Sequence, residues 1–284
     1  MFPLPIQRHR RSVRIGYRVA LAAALFIWLL PLLAMVLASM HSAAELNRGS
    51  IWRWPTDLRA LENYATVIGA SNTGRFILNS FLIAVPAVAA TVLVSSMAGF
   101  ALAKHEFSGN RLLLAVFVAG NLVPFQVLMI PVRDLMIALN LYDTRMALIL
   151  FHTAFQTGFC TLFMRNFIRE LPDAVLDAAR VDGAGELTLF WRVVLPLVTP
   201  AIAAVSVLIF TFIWNDFFWA LVLVQSDAIR PLTAGLQSLR GMWQTSWNLV
   251  AAASLLAALP PVVVFFVMQR HLLAGLQAPA QPGT

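Results

Sequence analysis

Leu171-Pro172-Asp173-Ala174-Val175-Leu176-Asp177-Ala178-Ala179-Arg180-Val181-Asp182-Gly183, followed after nine residues by Val193-Val194-Leu195-Pro196, is a charged, helix-forming segment set between long apolar runs. Charges continue through it from Arg169 and Glu170 to Glu186 and Arg192. Ionised side chains are costly in hydrocarbon, so the segment faces water and is free to meet a partner. Pro172 suits the first turn of a helix, Asp173 the positive end of its dipole, and Gly183 its stop. About eleven residues at ~1.5 Å each make a rod of ~16 Å. Helical spacing puts Val175, Leu176 and Ala179 on one face and Asp173, Asp177 and Arg180 on another. On these residues alone, the rod either packs on its own protein as a solvated loop helix or docks closely to another through the small Ala178 and Ala179.

Outward from this loop the chain is a membrane protein in composition. Of its 284 residues 60% are hydrophobic and 12% charged, with a mean hydropathy of +0.79, which excludes an ordinary soluble globule. A helix needs ~20 apolar residues to cross ~30 Å of hydrocarbon. Six segments qualify: Val19 to Met40, Phe76 to Ala103, Leu112 to Val132, Met146 to Met164, Val193 to Asn215 with an extension past Asp216 to Val224, and Asn248 to Gln269. Continuous runs of this length mean helices and exclude a barrel. The expected fold is therefore all-α, a polytopic bundle of six transmembrane helices with a cytoplasmic helix between the fourth and fifth.

The first run follows Arg8, Arg10, Arg11, Arg14 and Arg18. It is longer than the apolar core of a cleaved signal, so it reads as a retained anchor with its basic arm (1–18) in the cytoplasm. With six spans both termini lie inside, and the same topology puts twelve of the twenty Lys and Arg on that side. The membrane domain covers 19–276, its polar loop about 166–196, and a tail follows at 277–284. The net charge of +7 suits anionic lipid headgroups, and nothing in it calls for nucleic acid.

The single cysteine, Cys160, excludes an internal disulfide and reads as a small packing residue. His9, His41, His105, His152 and His271 are scattered, so no metal site and no catalytic cluster is expected. A phosphate-cradling loop needs Gly-Lys-Ser/Thr, and the only lysine, Lys104, follows Ala103. Any ATP-driven step must be powered by another chain. Between His41 and Arg75, Trp52, Trp54, Asn63 and Tyr64 mark an interfacial segment that admits a short surface helix. Asp143 or Thr144 caps the fourth span. Pro124, Pro131, Pro196, Pro200 and Pro260-Pro261 fall within or beside spans and can bend them.

The order Asp177-Ala178-Ala179, three residues, Gly183, nine residues, Val193-x-Leu195-Pro196 resembles the EAA loop of inner-membrane permease subunits of binding-protein-dependent ABC importers. In that family the pattern is Glu-Ala-Ala, Gly and Ile-x-Leu-Pro at the same spacing. Asn79-Ser80, Ala98-Gly99-Phe100-Ala101-Leu102-Ala103, Trp214-Asn215-Asp216-Phe217-Phe218-Trp219, Gln269-Arg270 and Gly275-Leu276 are similar to the carbohydrate branch, the maltose and glycerol-phosphate type permeases. The likeness runs from the first span to about Leu276.

It implies a permease subunit without its own ATPase site, in the inner membrane. Its partners would be a second permease (a heterodimer), two ATP-binding subunits that carry ATP and Mg, and an extracytoplasmic solute-binding protein. It also implies that the loop helix couples to the ATPase, through Asp177, Ala178, Ala179, Arg180, Asp182, Gly183, Leu195 and Pro196. Two departures stand out. Asp177 is a methylene shorter than the family's glutamate, and Gln277-Ala278-Pro279-Ala280 replaces the family's C-terminal end.

Polar side chains inside apolar spans tend to face a cavity or a partner. Asn79, Asn121, Gln126, His152, Gln156, Asn215 and Asp216 are the candidates for a substrate path, with Trp219 as an aromatic face beside Asp216; Asp216 with Trp214 and Trp219 alternatively marks the outer interface, a helix end or a subunit contact. The rival readings are a secondary transporter, an importer subunit for a non-carbohydrate polar solute, and a membrane enzyme. No internal repeat supports the first.

Overall fold

The structure is a computed structural model and describes residues 11–49, 51–69, 72–239 and 246–276. Among them every regular element is helical: α1 (Arg11–Met40), α2 (Ala43–Asn47), α3 (Ala60–Gly69), α4 (Thr73–Lys104), α5 (Asn110–Gly120), α6 (Met129–Ala138), α7 (Arg145–Arg169), α8 (Asp173–Val181), α9 (Glu186–Leu189), α10 (Leu195–Leu197), α11 (Thr199–Trp214), α12 (Phe218–Leu223), α13 (Leu232–Gly235) and α14 (Trp247–Leu276). Four of these, α1, α4, α7 and α14, are each long and apolar enough to cross a bilayer unbroken. Helix α1 starts at Arg11, so Arg11, Arg14 and Arg18 extend the span as helix; Arg8 and Arg10 lie outside the described residues, as does the 277–284 tail.

The other two expected spans are bent pairs of helices, broken beside the prolines that the sequence placed there. The third divides into α5 and a 3₁₀ turn (Phe125–Leu128) leading into α6, with a bend of 92°. Pro124, which lacks an N–H, precedes the turn. Helix α5, at 11 residues, spans only ~16 Å. The fifth divides at Val198, where the stretch Glu186–Leu197 meets α11 at 77°. Pro196 and Pro200 flank that residue, and a π-helical segment (Phe190–Val194) precedes it. The run past Asp216 is a separate short helix, α12.

The chain divides into two compact units. The first holds residues up to 71 and 238–256. None of the apolar spanning window of α1 is buried, and Trp28 is 85% exposed, a surface suited to lipid or another apolar partner. Beyond α1, Ser42 and Glu45 form a capping box that starts α2. The Glu45 carboxylate also accepts hydrogen bonds from Thr56, chief among the causes that hold its pKa below the usual range. Buried Asn63 ties the segment together: its amide nitrogen donates to the carbonyls of Ser39 and His41, and its oxygen accepts from Asn248. The expected interfacial segment thus carries two helices, with Trp52 and Trp54 exposed at its surface.

The second unit holds residues 72–237 and 257 onward. Its centre is α4 packed on α7 through small side chains, with Ala84, Ala87, Ser95, Ser96, Cys160 and Thr161 all buried. A Cβ at Gly99 would lie 2.9 Å from the Arg165 backbone nitrogen, so only glycine permits the approach there. Thr144 caps α7 by accepting from Ala147 N. Asp143, with φ +58, instead accepts from Gln225 N at 2.8 Å and Ser226 N at 2.9 Å, pinning the loop after α12.

Candidate functional site: an aromatic cavity and a polar helix

Helix α7 presents Phe151, Phe155 and Phe159 at four-residue intervals, and a turn's offset brings His152 and Gln156 beside them. The end of α11 adds Leu208, Thr211, Phe212 and Asn215, and the chain that follows adds Asp216, Phe217, Phe218 and Trp219. With Asn121 and Phe125 from the break after α5, these side chains line an open cavity of about 1100 Å³. Its wall is a set of aromatic faces: Phe151 lies against Trp219 with ring centroids 3.7 Å apart and against Phe155 at 5.5 Å, and Phe125 meets Phe218 edge-on at 5.3 Å.

Few polar groups interrupt that wall. The Asp216 carboxylate accepts from Trp219 N at 3.3 Å and Ala220 N at 3.1 Å, and so starts α12. Its main-chain carbonyl accepts from the Thr233 hydroxyl. His152, 5% exposed, places Nε2 3.6 Å from the second Asp216 oxygen. Asp216 therefore serves as a helix end and as cavity wall at once. His152 and Asp216 are the ionisable side chains in the lining, and neither Lys nor Arg belongs to it. A cavity of this size and character takes a solute that presents apolar faces and hydroxyl or amide edges.

Of the residues expected on a substrate path, the structure brings Asn121, His152, Gln156, Asn215, Asp216 and Trp219 to this cavity. Gln126 sits in the neighbouring 3₁₀ turn, exposed and outside the lining. Asn79 is elsewhere, which corrects its assignment. Fully buried, its amide nitrogen donates to the carbonyls of Ala228 and Arg230, each at 3.0 Å, and its oxygen accepts from Arg145 at 2.9 and 3.1 Å. A buried amide needs partners, and a loop supplies them as well as a solute would. The phenylalanine stripe had escaped the polarity criterion, although its i, i+4, i+8 spacing is visible in the sequence.

The second locus is α8. Pro172 precedes the helix rather than opening it, and Gly183, at φ +85, follows it where Ala184 N reaches back to Ala179 O. Leu176 is 1% exposed and faces the bundle with Ala179, whereas Val175 is 44% exposed and belongs to the outer surface, a correction to the expected apolar face. Ala178 and Asp177 are exposed, and Val181 is 88% exposed. Arg180 donates to Glu186 at 3.2 Å and Asp177 at 3.0 Å, and these acids raise its pKa. Asp173 receives the Lys104 ammonium at 2.7 Å, which holds its carboxyl below the usual range. Asp182 ends the helix. Leu195 and Pro196 stand at the 77° break, in α10, and not on α8.

Comparison with known proteins gives the family of the chain as a whole. Residues 91–277 match the family of binding-protein-dependent transport system inner membrane components. The chain is 33% identical over 271 residues to the osmoprotective compounds uptake permease GgtD of Synechocystis, covering 93% of this chain and 91% of that one. It is 32% identical over 260 residues to the arabinooligosaccharide transport permease AraQ of Halalkalibacterium halodurans, covering 91% and 92%. A crystal structure of a bacterial ABC transporter that imports the acidic polysaccharide alginate has the same fold, with a TM-score of 0.78 at 24% identity over 93% of this chain and 99% of that one. With its four unbroken apolar helices, its two bent pairs and a family match over most of its length, this chain belongs to the binding-protein-dependent inner-membrane permeases of ABC transporters.

Proposed function

We propose that this permease subunit carries a neutral, hydroxyl-rich carbohydrate inward, by alternating access, through the cavity between α7 and α11. The supporting observation is the composition of that cavity: aromatic faces for the C–H faces of a sugar ring, a few amide, imidazole and carboxylate groups for its hydroxyls, and no lining Lys or Arg. An acidic sugar would set its carboxylate near that of Asp216 with no Lys or Arg in the lining to pair it. The relatives divide: AraQ is an arabinooligosaccharide transport permease, and the transporter of the same fold imports the acidic polysaccharide alginate.

In this reading α8 is the coupling helix. Asp177, Ala178, Ala179, Arg180, Asp182 and Gly183 engage an ATP-binding subunit, and Leu195 and Pro196 form the flexible break behind it. The exposed apolar Val175 and Val181 support a docking role, because a solvated loop helix has no need of them. A second permease completes a heterodimer, two ATP-binding subunits hold ATP and Mg, and an extracytoplasmic binding protein delivers the solute. The charged arm and α8 lie on the cytoplasmic side, with both termini.

The test is ATP-dependent uptake into proteoliposomes carrying the whole complex with its binding protein, comparing neutral oligosaccharides with uronate oligosaccharides. Neutral glycans are expected to be taken up, and Phe155→Ala and Asp216→Asn to reduce that uptake by about tenfold. Preferential uptake of uronates, or uptake of neutral glycan indifferent to both substitutions, contradicts the assignment.

A further inference from the structure

We propose that the end of α4, through Lys104 and the following His105, is a clasp that holds both ends of α8 and carries its displacement into α7, with Lys104 as the positioning residue. The inference rests on α8 being the helix an ATP-binding subunit moves, and adds the route by which that movement reaches the cavity wall.

Lys104 is the only lysine in the chain, and its side chain is 7% exposed. The ammonium has three donors and meets three acceptors: Leu171 O at 2.7 Å, Asp173 Oδ1 at 2.7 Å and Arg169 O at 3.4 Å. Two of these are carbonyls at the end of α7, where helical carbonyls lack intrahelical partners and a cation is favoured. The third is a carboxylate in the first turn of α8, where the dipole favours an anion. One buried charge therefore joins the ends of α4 and α7 to the start of α8. At the other end of α8, Arg180 bridges Asp177 and Glu186, and Glu186 lies 3.3 Å from the Nε2 of His105. Lys104 at the end of α4 thus holds the start of α8 directly, and the following His105 reaches its end through Glu186 and Arg180.

The clasp is anchored to a rigid pair. Arg165 Nε of α7 donates to Leu102 O at 3.3 Å, and Asn110 Nδ2 donates to Leu102 O and His105 O. The Gly99 approach leaves α4 and α7 no room to slide. On the far side of the polar loop the chain reaches α11 only across the 77° break at Val198. A push on α8 therefore reaches α4 and α7 directly through the Lys104 contacts, and α11 through its packing on α4. The cavity has one wall on α7 (Phe151 to Phe159), so a displacement passed to α7 reaches that wall.

The test compares the unaltered complex with Lys104→Met, Lys104→Arg and Asp173→Ala in proteoliposomes, measuring ATP hydrolysis, solute uptake and the amount of ATP-binding subunit retained. The ratio of solute moved to ATP hydrolysed is the readout, because a merely structural role would lower both together and leave it unchanged. Lys104→Met is expected to lower the ratio about tenfold while hydrolysis persists, and Lys104→Arg, which keeps the charge but not the compact three-donor head, to restore part of it. Asp173→Ala removes an exposed carboxylate that folding does not need, and is expected to lower the ratio about threefold even if Lys104→Met fails to assemble. An unchanged ratio in the assembled variants overturns the clasp and leaves the transport reading intact. An unaltered complex that hydrolyses ATP without uptake overturns that reading and the clasp with it.

Discussion

A missing Cβ sets how closely α4 approaches α7. At Gly99 an added methyl would press on the backbone of Met164 and Arg165, which cannot rotate away as a side chain can. Gly99→Ala is expected to destabilise the bundle by about 1–3 kcal/mol, seen as a lower Tm of the detergent-solubilised protein, and Gly99→Leu to prevent assembly. An unchanged Tm in Gly99→Ala would show that the helices separate freely at this point. Asp143 acts on a loop in a similar way. Burial pushes its carboxyl pKa up, but hydrogen bonds from Ser226 and from Gln225 N, with Arg230 nearby, outweigh burial and leave the pKa below the usual 3.8. A carboxylate with a depressed folded pKa contributes stability that is present above its unfolded value and lost as pH falls through the folded one. The 224–230 loop is therefore expected to stay pinned at neutral pH and to loosen below about pH 4. Asp143→Asn is expected to reproduce that loosening at pH 7, measured as faster amide exchange at Gln225 and Ser226.

Among the elements, the straight ones were legible and the bent ones were not. Hydropathy over about twenty residues found α1, α4, α7 and α14, because an unbroken helix in lipid must be apolar along its whole length. The same signal ran uninterrupted through Leu112 to Val132 and Val193 to Asn215, since apolarity carries no record of direction. Pro124, Pro196 and Pro200 were visible, but a proline in a membrane helix is compatible with a slight kink or with a right angle. Asn121, His152, Gln156, Asn215 and Asp216 of the cavity stand out as polar side chains within apolar runs, whereas Phe151, Phe155 and Phe159 do not, because phenylalanine suits lipid as well as a solute. Asn79 satisfied the polar criterion and turned out to hold a loop, since burial of an amide demands a partner of any kind. For α8, the charge pattern and Gly183 fixed its ends to within a residue, and Leu176 is its one fully buried side chain. Leu176→Ala is expected to cost about 2–5 kcal/mol of seating. It would raise amide exchange across 173–181 while leaving α4 protected; equal protection in both proteins would mean that α8 is held by its polar clasps alone.

At the scale of the molecule, the permease has an aromatic cavity whose walls belong to different helices and, apart from it, the polar helix α8; in the proposed reading these are the solute chamber and the handle. Ionised groups concentrate at the handle, where Asp173, Asp177, Arg180 and Glu186 sit in or beside α8, whereas the chamber holds one acid and one imidazole among its aromatic rings. That separation suits a division of labour in which another chain supplies the energy and this one supplies the path. The most direct test of the account is a crosslink from the handle, with Val181→Cys in a Cys160→Ala background joined by a short bifunctional reagent in the assembled complex. The account predicts that this cysteine links to the ATP-binding subunit and resists impermeant reagents applied from outside the cell. Labelling from outside, or an assembled complex in which position 181 never links to that subunit, would contradict it.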